Sequence, residues 1–83
     1  MTAGNEDVFW AVVRNCLRKF HKHGVISARR KTLKLRKAVE AKGSELFYHS
    51  EPFDVACDIA ERQLDLKDHL DDYLHIRDIR HGL

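Results

Sequence analysis

Two cysteines, Cys16 and Cys57, can close at most one bridge, so a disulfide framework does not hold this chain together. Proline occurs once and glycine four times in 83 residues. That scarcity leaves no low-complexity linker and confines the natural breaks to a few positions. The longest apolar run, residues 8–13, is far too short to cross a bilayer as a helix. No internal repeat is visible. The opening residues, Met1-Thr2-Ala3-Gly4-Asn5-Glu6-Asp7, are polar and acidic. They lack the basic and apolar character of a signal or transit peptide, and Thr2 stands where N-myristoylation requires glycine. The expectation is a cytoplasmic protein in a reducing compartment, without membrane association.

The densest apolar segment is Val8-Phe9-Trp10-Ala11-Val12-Val13-Arg14-Asn15-Cys16-Leu17-Arg18-Lys19-Phe20, which holds the only tryptophan. Phe9, Val13, Cys16 and Phe20 recur at helical spacing, and Trp10 and Leu17 widen the stripe. This segment reads as the central helix of an all-α, compact bundle of three to four helices. Residues 1–5 are expected to be a disordered tail and 6–83 a single helical domain.

The first helix is expected from Asn5 as N-cap to about residue 23, with Gly24 as its C′ stop. A second, capped by Ser27, should cover 28–42 and end at Gly43. Its inner face is Ala28, Thr32, Leu35 and Val39. The connection 43–51 is too apolar for a free loop, and one of its rings should cover an open end of the core. Ser50-Glu51-Pro52 starts a third helix over about 52–64, because proline is tolerated in the first turn. Its core stripe is Phe53, Cys57, Ala60 and Leu64. At Leu64-Asp65-Leu66 the apolar period slips, which places a break there with Asp65 capping a fourth helix over about 66–80. The core should comprise Trp10, Val13, Leu17, Phe20, Leu35, Val39, Phe53, Cys57, Ala60, Leu64 and Leu70. Leu33, Val55, Ile59 and Ile79 are left over after one core face is assigned to each helix, and such residues suit a modest interface.

The net charge of +2 conceals a division. Residues 1–43 carry eleven Lys/Arg against three Asp/Glu, and residues 44–83 carry four against ten. Arg29, Arg30, Lys31, Lys34, Arg36 and Lys37 concentrate the positive charge on the second helix. Like charges one turn apart repel by about 0.2–0.5 kcal/mol per pair, so this basic stripe calls for an acidic neighbour inside or outside the molecule. Asp54, Asp58, Glu61 and Asp65 form an acidic stripe on the third helix. If the two stripes face each other they neutralise; if they face apart, a basic surface is exposed.

The expected function is a small non-enzymatic interaction module whose six basic residues on the second helix meet an acidic protein partner, or a second copy as a homodimer. The alternative is sequence-nonspecific nucleic-acid binding by the same surface, which needs only clustered positive charge. A strict helix-turn-helix does not fit, because Phe20 stands where that motif wants a small residue and Arg30 where it wants a buried apolar one. A metal-dependent or ribonuclease-like enzyme comes third. His69, Asp72, His75, Asp78 and His81 recur every three residues, and His69/Asp72/His75 could share a cation; five such residues wind around a helix and cannot converge, so no metal or cofactor is expected. Arg14 and His21 stand at the Arg-x(4–6)-His spacing that resembles the motif of the helical HEPN ribonucleases. That resemblance implies an arginine and a histidine acting in RNA cleavage, at a spacing that six histidines and many arginines also meet by chance. His49, between Tyr48 and Glu51, is the histidine to examine for a pocket.

Overall fold

The computed structural model describes residues 5–43 and 45–81, without the side chains of residues 5, 45, 46 and 78–81. Four α-helices occur among them: α1 (Asn5–Phe20), α2 (Val25–Lys42), α3 (Pro52–Ala60) and α4 (Leu66–His81). A 3-10 turn, Glu45–His49, joins α2 to α3, and no strand is present among the described residues. The chain is thus an all-α bundle. α1 already includes Asn5; the remainder of the expected N-terminal tail lies outside the described residues.

α1 is the axis of the bundle because its apolar positions cover more than one face. Phe9, Trp10, Val12, Val13, Cys16 and Leu17 are all buried, and α2, α3 and α4 each pack on this helix. α1 and α2 form an antiparallel hairpin, since Asp7 at the start of α1 reaches Arg36 late in α2. Their joint differs from the expected one. α1 ends at Phe20, Lys22 takes the left-handed conformation (φ 55°), and the His23 N–H donates back to the Leu17 carbonyl. Gly24 instead begins α2 in extended conformation, its carbonyl accepting the first helical bond, from the Ala28 N–H at 2.9 Å. Helix α2 therefore includes Val25, Ile26 and Ser27, which the sequence reading left outside it. Gly43 closes α2 as expected, at φ 65°, which glycine adopts without strain.

The 3-10 turn covers one end of the core with aromatic rings. Phe47 stacks on Trp10 at 5.5 Å and 17°, and the Trp10 Nε1–H donates to the Tyr48 hydroxyl at 3.1 Å. Phe9 meets both Phe47 and Tyr48 edge-on. The expectation that a ring here caps the core is met twice over.

α3 is shorter than the spacing implies. It stops at Ala60, with Glu61 left-handed at φ 56°. Ala60 and Leu64 are half-buried against the core, while Val55, expected to be left over, is 4% exposed and belongs to it. α3 packs on α1, and its Phe53 ring also meets His69 and Tyr73 of α4. α4 starts where expected: the Asp65 carboxylate accepts the Lys67 N–H at 3.0 Å. Its buried residue is Tyr73, with Leu66 and Ile76 beside it. Leu70, expected in the core, is 42% exposed, because the face centred on Tyr73 turns it toward solvent.

Candidate interaction face

On α2 the small residues point inward. Ala28, Thr32 and Val39 are buried and Leu35 is half-buried, so the opposite side of the helix is directed away from α1. At i, i+4, i+7 and i+11, that outer ridge reads Ile26, Arg30, Leu33 and Lys37. Arg29 and Lys34 flank it, and all six side chains are exposed. Ile26 is the most exposed large apolar residue described, at 73%, and Leu33 stands at 47%. The face is therefore an apolar ridge edged by four cations.

The six basic residues singled out from the sequence divide on inspection. Arg29, Arg30, Lys34 and Lys37 lie on this ridge or beside it. Lys31 Nζ lies 3.1 Å from His23 Nε2, at the α1–α2 joint. Arg36 is turned to the flank, where it donates to Asp7 Oδ1 at 2.7 Å and to Glu40 Oε2 at 3.3 Å. It pins α2 to the start of α1 and leaves the charged ridge. No ion pair among the described residues joins the ridge to Asp54, Asp58, Glu61 or Asp65. α2 and α3 pack on α1 rather than broadly on each other. The basic and acidic stripes are not each other's neutralising partner. The sequence reading starts this helix at residue 28, which leaves Ile26 outside the helix and so off this face.

No protein-family model, curated protein or solved structure matches the chain. The functional reading therefore stands on the geometry of the molecule.

The other candidate sites are weaker in this geometry. No group of three or more His, Cys, Asp or Glu among the described residues is placed to hold a metal ion. The His69 ring packs near Phe20 and Phe53, at 5.1 and 6.1 Å between centroids, while Asp72 and His75 are exposed. Asp78 and His81 have no described side chains. Cys16 and Cys57 are buried. Burial, reinforced by the Cys57 thiol, raises the Cys16 pKa to about 12, and burial raises that of Cys57 as well. Both are therefore protonated and poor nucleophiles at neutral pH. His21 follows the end of α1, its ring nitrogens buried without a hydrogen-bond partner. Desolvation lowers its pKa, and His23, Arg62 and His69 add to the effect.

His49 does border a cavity, of about 240 Å³, with Val8, Phe9 and Val12 on its apolar side and Glu51 and Arg77 at its polar rim. Those polar groups satisfy one another. Tyr73 donates its hydroxyl to Glu51 Oε2 at 2.7 Å and accepts the Phe53 N–H at 3.4 Å. Arg77 Nη1 lies 3.9 Å from the same Glu51 oxygen, and its guanidinium lies over the Tyr73 ring. Burial, then the bond to Glu51, raises the Tyr73 pKa. The arrangement ties the start of α3 to α4 and leaves no unbalanced charge to select a ligand.

Proposed function

We propose that this chain is a non-enzymatic protein-interaction module and that the outer ridge of α2 is its docking face for an acidic, amphipathic partner. The observation that supports this is the position of Ile26 and Leu33 among Arg29, Arg30, Lys34 and Lys37. Phosphate contact needs the cations alone. Exposed aliphatic side chains within a cationic field suit a partner that brings its own apolar groups edged by carboxylates. Burying Ile26 and Leu33 contributes about 1–2 kcal/mol each, less than full transfer because both are already partly covered. The cations add steering and register.

The test is fluorescence anisotropy with two labelled probes at low salt: an acidic, leucine-containing helical peptide and a short random-sequence RNA. The Ile26→Ala/Leu33→Ala variant should weaken peptide binding by roughly tenfold or more and leave any RNA binding unchanged. Arg30→Glu/Lys34→Glu/Lys37→Glu should abolish both while the protein stays folded, since these side chains are exposed. RNA binding that falls steeply with salt, with no peptide binding, would replace this reading by a nucleic-acid one.

A further inference from the structure

The cavity beside His49 has an apolar floor and a polar mouth. Val8, Phe9 and Val12 of α1 border it from below, Phe9 and Val12 buried and Val8 half-buried. His49, Ser50 and Glu51, just ahead of α3, are exposed at its mouth, and Arg77 of α4 joins them. The rings of Phe9 and Tyr48 both border the space and meet edge-on at 5.2 Å. We propose that this cavity binds a small, neutral aromatic molecule that carries one N–H or O–H group, of about the size of indole. Among the described residues, none of α2 borders the cavity, so the docking face and this site can fail separately.

Charge and size set the class of occupant. The carboxylate and the guanidinium at the mouth, Glu51 and Arg77, already face each other, and Tyr73 holds the same Glu51 oxygen. A charged occupant would leave one member of that pair without its counterpart, whereas a neutral one disturbs neither. An apolar cavity of about 150 Å³ accommodates benzene. At about 240 Å³ this one is roughly one and a half times as large, which is room for a fused two-ring body. It is smaller than the roughly 300–1,000 Å³ of pockets that take drug-sized ligands.

The walls supply the rest. Phe9 and Tyr48 offer ring faces and edges, against which a flat aromatic body packs edge-on or offset. Val8 and Val12 complete the apolar surface. At the mouth, Glu51 Oε2 carries the contacts to Tyr73 and Arg77, and Oε1 carries neither, so it is left to accept a hydrogen bond from the occupant. A molecule with its rings on the floor and one donor at the mouth meets both demands.

Titration of the full chain with indole, followed by amide and methyl NMR, tests this. Indole should bind saturably in the submillimolar to millimolar range, as befits so small a ligand. It should shift the signals of Val8, Phe9, Val12 and Tyr48 and leave those of Ile26 and Leu33 unmoved. Indole-2-carboxylate, which adds a charge to the same rings, should bind roughly tenfold more weakly or worse. Val12→Phe, which fills the cavity from its floor, should weaken indole binding by roughly tenfold or more. Val8→Trp should do the same from the half-buried edge, and it keeps the test open if the buried substitution fails to fold; thermal unfolding reports whether each variant is folded. Ile26→Ala should bind indole as the wild type does. The proposal is overturned if millimolar indole shows no saturable binding, if the carboxylate binds equally well, or if the shifts centre on α2. Folded cavity variants that bind indole normally overturn it as well. An acidic peptide that fails to bind while indole binds removes the α2 docking face alone.

Discussion

α2 is twice the length of α3 and contributes less to the core. Its eighteen residues bury Ala28, Thr32 and Val39; the nine of α3 bury Phe53, Val55, Ala56 and Cys57. The Phe53 side chain, 1% exposed and edge-on to the rings of Phe20 and Tyr73, removes more apolar area from water than any one of the three side chains that α2 buries. The two helices thus divide the work. α3 closes the core, and its charged residues are what remains on the solvent side. α2 needs only enough inward contact to be held against α1, and the rest of its length presents a surface. Helix length does not measure structural importance; the volume of the side chains turned inward does.

That division predicts unequal losses. Phe53→Ala should destabilise the domain by about 3–5 kcal/mol, a large part of the stability of a chain this size, whereas Val39→Ala should cost roughly 1–2 kcal/mol. Urea unfolding followed by Trp10 emission measures both, and equal losses would break the comparison. Tyr73→Phe should cost about 1–2 kcal/mol, because Glu51 loses its 2.7 Å donor and the Phe53 N–H its acceptor. In the opposite direction, Thr32→Val should stabilise by about 1 kcal/mol, since the Thr32 hydroxyl is buried without a hydrogen-bond partner. A loss on that substitution would show that the inner face of α2 is held more tightly than its small side chains imply.

The smallest effect concerns pH and the α1–α2 joint. The His21 pKa is lowered in the folded protein from its ordinary 6.5, chiefly by desolvation. As pH falls below about 6.5 the unfolded chain takes up the proton first, so stability declines until the folded-state pKa is passed and then levels off. Chemical denaturation at a series of pH values should show this decline for the wild type and a shallower one for His21→Gln. An identical slope in the variant would assign the decline to other groups.

Local signals in the chain placed most of the helices. Gly43, Pro52 and Asp65 act through backbone geometry and capping, which depend on one or two neighbours, and their roles were readable from the sequence alone. The left-handed turns at Lys22 and Glu61 were not, because no glycine or asparagine marks them. Without that mark, Gly24 was read as the end of α1 when it is the beginning of α2. Val55 and Leu70 exchange places relative to expectation for a tertiary reason: packing on α1, not the local apolar period, sets which face each helix turns inward. On the candidate face, the cations of α2 were plain in the sequence. The bond that turns Arg36 aside to Asp7, 29 positions away, depends on the hairpin. So does the place of Ile26 at the head of the ridge.

Cys16 and Cys57 supply a clock for the opening of the bundle. One thiol lies on α1 and the other on α3, and both are sealed in the contact between those helices. A thiol reagent added to the native protein reaches them only when that contact opens, so the labelling rate rises with the fraction of time the contact is open. Because α2 borders neither cysteine in sequence and contributes little to the core, partner binding to its outer ridge should leave that rate nearly unchanged, while loss of Phe53 should accelerate it by orders of magnitude.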